Sequence, residues 1–161
     1  MIKYLIVIFC LLFVSHENIV SSNEQKKLGK VTGLEIPRFV SLKKSKTFLR
    51  RGPGKSYKID WILERNNYPL MIIAEHEHWR QVVDFQGDIG WVYFRLLSGN
   101  RTIIVSKDDI LLRKKEKNNS NPIGILKYGV VGELIESKEN VCNAKFKNLS
   151  GWINKNDVWG C

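Results

Sequence analysis

Gly90-Trp91-Val92 and Gly151-Trp152-Ile153 stand 61 residues apart, and they close two copies of one pattern. Thr47-Phe48-Leu49-Arg50 is matched by Ile110-Leu111-Leu112-Arg113 at an offset of 63. Between these anchors, Leu70–Glu75 corresponds to Val131–Glu136 and Trp79–Val83 to Val141–Lys145. Offsets that agree within two residues, in unchanged order, imply two modules of about 60 residues, near the lower size at which a domain folds alone. The connection Ser98-Gly99-Asn100-Arg101 is short, so the copies are expected to pack or to share a fixed orientation.

Each copy reads as short strands. Arg38–Leu42, Thr47–Arg50, Lys58–Glu64, Leu70–Glu75, Trp79–Asp84 and Ile89–Tyr93 are rich in β-branched and aromatic residues. They are bounded by turn chemistry such as Gly52-Pro53-Gly54, Asn66-Asn67 and Gln86-Gly87-Asp88. No segment keeps a 3.6-residue apolar period. The expected class is therefore all-β, built from two small barrels: residues 38–100 and a more degenerate 101–161. Gly52 and Gly54 are expected to supply positive-φ freedom around Pro53, and Trp91 and Trp152 to sit in or half in the two cores, each above a glycine that lets the backbone close under the ring.

The chain has 161 residues, with 43% hydrophobic and 26% charged. That fits a folded chain and is too short for a large enzyme barrel. Met1-Ile2-Lys3 followed by the apolar run Tyr4–Val14, then Val20-Ser21-Ser22 before Asn23, is the pattern of a cleaved export signal over residues 1–22. Eleven apolar residues are too few for a spanning helix, which needs about 20, so no stable membrane anchor is expected after cleavage. Residues 23–37 are polar and Gly-punctuated and read as a leader or linker. The destination is periplasmic or extracellular.

Formal net charge is +10, and it is spread evenly over both copies. Such a balance favours anionic envelope polymers or headgroups as electrostatic partners, and export argues against nucleic acid. The basic run Arg113-Lys114-Lys115-Glu116-Lys117 reads as a solvated loop, with Lys114, Lys115 and Lys117 as candidates for touching a polyanion.

Cys142 and Cys161 remain after processing. An even count in an oxidising compartment favours a disulfide, which is typically worth ~2–4 kcal/mol; two unpaired thiols are the alternative. Neither reads as a nucleophile, because all three His lie at or before position 78. His76-Glu77-His78 is the one metal-like cluster. It lacks the third ligand that zinc requires and reads as a polar turn between strands, with Glu75 and Glu77 as solvated strand-end charges. No cofactor, metal or catalytic set is expected.

Leu49-Arg50-Arg51-Gly52-Pro53-Gly54, Tyr57, Trp79-Arg80 and Gly90-Trp91-Val92, leading into Leu96-Leu97, resemble the bacterial SH3-like (SH3b) domain. Pro69 and the ending Trp159-Gly160 look like an exported, two-copy subgroup of that family with no known biochemical role. The second copy departs from the pattern: Lys114-Lys115-Glu116 stands where Arg51-Gly52-Pro53 does, and Val141 replaces Trp79. The resemblance implies a non-catalytic module that recognises cell-wall peptide or another exposed peptide. The candidate contact residues are turn aromatics: Tyr57, Tyr68, Tyr93 and Phe94. The competing expectations are a structural or adaptor subunit that binds an envelope protein, and a general polyanion binder.

Overall fold

The computed structural model describes residues 26–117 and 119–161; the expected export signal, residues 1–22, lies outside them. Seven strands build the first sheet: β1 (Arg38–Leu42), β2 (Thr47–Arg50), β3 (Ile59–Leu63), β4 (Pro69–His76), β5 (Trp79–Val83), β6 (Ile89–Tyr93) and β7 (Leu97–Ser98). Seven more build the second: β8 (Thr102–Val105), β9 (Ile110–Arg113), β10 (Pro122–Leu126), β11 (Val131–Ser137), β12 (Val141–Phe146), β13 (Leu149–Asn154) and β14 (Val158–Trp159). The spatial orders are β3-β2-β6-β5-β4-β1-β7 and β10-β9-β13-β12-β11-β8-β14, so each strand of the second sheet has its counterpart seven places earlier. The registers repeat as well. Arg50 faces Trp91 as Arg113 faces Trp152, and Trp79 faces Tyr93 as Val141 faces Asn154. The chain is all-β, as expected, with two SH3-like units. Among the described residues no helix is long and apolar enough to cross a membrane.

Period-2 alternation sorts each strand into an inner and an outer face. Leu49, Leu70, Ile72, Val82 and Val92 turn inward and form the first core with Val40, Leu42 and Leu97. Ile103, Val105, Leu112, Ala144, Phe146 and Ile153 do the same in the second. The Gly-Trp pairs hold a different place from the one expected. A Cβ on Gly90 would lie 2.4 Å from Leu49 Cγ, and one on Gly151 would lie 2.6 Å from the Arg113 carbonyl oxygen and 2.9 Å from Leu112 Cγ. These glycines make room for the core leucine of the neighbouring strand rather than for the ring beside them. Trp91 and Trp152 are half-buried on the outer faces and belong to neither core.

A bulge between Ile72 and Ala74 shifts the alternation of β4 by one residue, so Glu75 turns inward where Ala74 would have. Glu75, expected as a solvated strand-end charge, is buried. Its carboxylate accepts hydrogen bonds from the N–H groups of Val31 (3.0 Å) and Thr32 (2.9 Å), the Thr32 hydroxyl (2.7 Å) and the Arg38 guanidinium (2.6 Å), with Arg80 Nε at 3.5 Å. The segment expected as a leader is, from residue 26, a small hairpin wrapped on this carboxylate. Leu28 bridges Glu35, and Ile36 enters the first core.

The two units share a joint sewn by the last residues. Trp159 meets Phe39 edge-on at 4.9 Å and Phe85 at 6.2 Å. The Arg101 guanidinium lies 5.9 Å from the Phe39 ring centre and donates to the carbonyls of Gly160 (3.1 Å) and Cys161 (2.6 Å). Hydroxyls of Thr102 and Ser41 donate to the carbonyls of Asn67 and Asn100, both at 2.7 Å. Cys142, inside the second core, is disulfide-bonded to Cys161, so the bridge anchors the segment that carries Trp159.

Burial pushes the Glu75 carboxyl up, but the donors from Arg38, Thr32 and Val31 outweigh it and hold the group at about 2 against an ordinary 4.5. The folded value lies below the unfolded one. The group therefore contributes on the order of 3 kcal/mol at neutral pH, and that contribution is lost as pH falls from about 4.5 toward about 2. Glu75→Gln is expected to lower stability by a similar ~3 kcal/mol at pH 7, and the gap to the natural protein should close across that acid window in urea melts; a gap independent of pH contradicts it. Cys161→Ser is expected to cost ~2–4 kcal/mol in thermal melts and to shift Trp159 fluorescence toward that of a solvated indole. An unchanged spectrum would mean that the bridge does not hold the joint.

Candidate functional site

On the outer face of the first sheet, Phe48 and Arg50 stand on β2, on either side of the inward Leu49. Trp79 and Tyr93 form a cross-strand pair on β5 and β6, with ring centres 5.7 Å apart and planes at 65°. With Lys55 and Leu96 these residues line a groove of about 200 Å³ whose exposed surface is almost wholly apolar. Phe48 is 38% exposed, with the Arg50 guanidinium 5.8 Å from its ring centre. Beside the groove, Tyr93 meets Phe94 at 5.2 Å, and His78 stacks on Phe94 at 5.8 Å with planes at 28°. The guanidinium groups of Arg80 and Arg95 both lie 5.8 Å from the Phe94 ring centre. Edge and offset aromatic contacts of this kind fix ring orientation as well as burying area.

The groove walls are set by hydrogen bonds. Arg50 Nη1 donates to the carbonyls of Lys55 (2.9 Å) and Tyr57 (2.8 Å), which holds the 51–57 turn against β2. Arg113 Nη1 does the same for Ser120 at 2.7 Å. Gly52 is needed here for space. It does not have a positive φ, and a Cβ on it would lie 2.4 Å from the Tyr57 ring. On the other wall Arg80 donates to the carbonyls of Glu77 and Trp79, each at 2.9 Å. Because Arg80 also faces Glu75, the buried carboxylate under the N-terminal hairpin is tied to the turn that presents His78 and Trp79.

Of the four aromatics singled out in the sequence, the fold places Tyr93 in the groove and Phe94 beside it. Tyr57 lies on the adjoining turn, over Gly52 and outside the lining. Tyr68 is elsewhere: it is half-buried against the first core, near Asp84 and Phe85 at the joint side, where burial and the Asp84 carboxylate push its hydroxyl up to about 12. Phe48, Arg50, Lys55, Trp79 and Leu96 were missed. Alternation around the core residue Leu49 marks Phe48 and Arg50 as a same-face pair, and that signal is visible in the sequence. The meeting of β2 with β6 is not. His76 ends β4 and lies edge-on to Trp91 at 6.4 Å, while His78 sits in the turn. Among the described residues no three His, Cys, Asp or Glu converge as metal ligands. Lys114, Lys115 and Lys117 are exposed on the 114–120 loop of the second unit, away from the groove.

The second unit has a cavity of about 310 Å³ at the equivalent place. Its wall carries Leu111, Val141, Asn154 and Asp157 where the first has Phe48, Trp79, Tyr93 and Leu96. The carboxylates of Asp109, Glu116 and Asp157 are each paired, with Lys127, Lys138 and Lys107. The Lys138 ammonium lies over Trp152, 4.7 Å from the ring centre. Only the arginine is common to the two grooves, and its partners are turn carbonyls.

Residues 43–99, which span most of the first sheet, match the family model of the bacterial SH3 domain. No curated protein matches the chain. Among solved structures it is similar to NlpC2 of Trichomonas vaginalis (8% identity, TM-score 0.35, 76% of this chain and 48% of that one). It is similar as well to NlpC1 of the same organism (8%, 0.36, 81% and 48%) and to an NlpC/P60 family protein from Bacillus cereus (12%, 0.34, 75% and 55%). The chain spans about half the length of these structures.

Gly52→Ala is expected to displace Tyr57 and loosen the Arg50-held turn, at a cost of about 1–3 kcal/mol. Gly54→Ala, where the added Cβ would meet the same ring only at 3.2 Å, should cost distinctly less. Urea unfolding of the two variants checks this; equal losses would show that the ring does not set the turn.

Proposed function

We propose that this chain is a non-catalytic binding module of the cell envelope, and that the groove on its first unit recognises cell-wall peptide or another exposed, extended peptide. One observation carries the reading. Phe48, Trp79 and Tyr93 have no duty in the core, since the second unit keeps the same strand order with Leu111, Val141 and Asn154 in their places. Three aromatic side chains held half-exposed around one apolar groove are costly to leave in water, and they are the usual lining of a peptide site. The bacterial SH3 match over residues 43–99 supports a cell-wall association. The export pattern of residues 1–22 and the Cys142–Cys161 bridge, of a kind that persists in oxidising compartments, support the location.

Co-sedimentation of the purified protein, without residues 1–22, with isolated peptidoglycan sacculi over a salt series tests the reading. Binding is expected to survive moderate salt and to weaken at least tenfold in a Trp79→Ala, Tyr93→Ala variant whose melting temperature is unchanged. Pelleting that salt removes equally from both proteins would replace the groove with general polyanion binding through the basic surface. Absence of pelleting would move the search to an envelope protein as the partner.

A further inference from the structure

The groove of the first unit has a charge pattern as well as an apolar floor. Residues 43–58, KKSKTFLRRGPGKSYK, carry seven cations and no carboxylate, and this one segment supplies Phe48, Arg50 and Lys55 to the lining. Three of the seven are already engaged: Lys46 pairs with Glu64 at 3.4 Å, Arg51 with Asp60 at 3.0 Å, and Arg50 is turned to the two turn carbonyls. Lys43, Lys44, Lys55 and Lys58 make no ion pair among the described residues. Lys55 lines the groove, and the N–H of Lys43 donates to the carbonyl of Leu96, another lining residue, at 2.8 Å. No carboxylate lines the groove. At the equivalent place the second unit has three carboxylates, each matched by its own lysine. The same backbone thus presents an uncompensated positive rim in one copy and a self-neutralised one in the other.

Taking the groove to be the recognition site, we propose that its occupant is an acidic extended peptide: an apolar side chain seated among Phe48, Trp79 and Tyr93, with flanking carboxylates against Lys43 and Lys55. Both halves of the chemistry are needed. A purely apolar segment leaves the rim ammonium groups without a counter-charge, and a phosphate polymer has nothing to place on three aromatic rings. Lysine ammonium groups on flexible stems suit single carboxylates at variable spacing, whereas a planar bidentate reader would be arginine, and here the groove arginine is spent on the turn. Complementary charge at a rim acts mainly on encounter and selectivity and weakens with salt, while the apolar seat sets how long the occupant stays.

The probes are the blocked pentapeptide Glu-Glu-Phe-Glu-Glu, its Gln-Gln-Phe-Gln-Gln counterpart, and inorganic polyphosphate, each titrated into the protein by calorimetry. Three proteins are compared: the natural chain, Lys43→Glu with Lys55→Glu, and Trp79→Ala with Tyr93→Ala. The lysines are exposed, so the charge-reversed variant should melt with the natural protein. The acidic peptide is expected to bind at least tenfold tighter than the amide peptide, to weaken as salt rises, and to lose at least tenfold in either variant. Equal binding of both peptides, lost only in the Trp79, Tyr93 variant, overturns the acidic preference and leaves the groove standing. Polyphosphate binding as tightly as the peptide, unaffected by loss of the two rings, overturns it in favour of a polyanion. If neither peptide binds while sacculi still sediment through the groove, the acidic-peptide assignment falls alone; if sacculi fail too, both fall.

Discussion

Leu49 lies against Gly90 where β2 meets β6, and Leu112 lies against Gly151 at the same place in the second unit. Each contact brings two strands closer than any side chain on the glycine would permit, with the missing Cβ position 2.4 Å from Leu49 Cγ in the first. That approach joins the β2–β3 hairpin to the rest of each sheet through a single paired residue, Arg50 with Trp91 and Arg113 with Trp152. It also sets the parity of everything around it. With Gly90 and Val92 inward, Trp91 and Tyr93 must face out; with Leu49 inward, Phe48 and Arg50 must face out beside them. The groove is a consequence of that parity, since its lining comes from the outer positions on both sides of the seam.

The walls of the groove inherit their rigidity from polar groups that never touch its contents. Arg50 satisfies two turn carbonyls on one side. On the other, Arg80 is held between the Glu75 carboxylate and the carbonyls of the β4–β5 turn. Glu75 is inward only because a bulge shifts β4 by one residue, and it is tolerated there because the N-terminal hairpin supplies two N–H groups and a hydroxyl. A buried carboxylate without such donors would be neutral or strongly destabilising. The N-terminal hairpin is thus part of the first unit and not a tether leading to it.

Most strand limits were legible because β-branched and aromatic runs alternate with turn residues, and the repeat was legible because two copies fold to one register. β1, β2 and β6 have the limits read from the sequence, and the duplicated order follows the matched anchors. Four residues were misjudged, each for a reason that lies in the tertiary arrangement. Glu75 reads as solvated because a bulge leaves no mark in composition. Tyr68 reads as a turn aromatic of the groove, but the turn before β4 lies on the joint side of the molecule. Trp91 and Trp152 read as core because large rings usually are, while the tight seam leaves them only the outer face. Phe48 and Trp79 escaped because they stand 31 residues apart in the chain and their strands become neighbours only through β6.

Amino-acid order by itself determined most of the strands, the duplication and the candidate pair Cys142 and Cys161, because each depends on local periodicity, spacing or count. Which outer faces meet, and so which side chains share a groove, and which carboxylate is buried were decided by tertiary structure. These depend on parity across the β2–β6 seam and on partners brought from distant segments, such as Thr32 and Arg38 to Glu75. The contrast between the two grooves is written in the sequence and permitted by the fold: one backbone arrangement takes either lining, because Phe48, Trp79 and Tyr93 and their counterparts Leu111, Val141 and Asn154 belong to neither core.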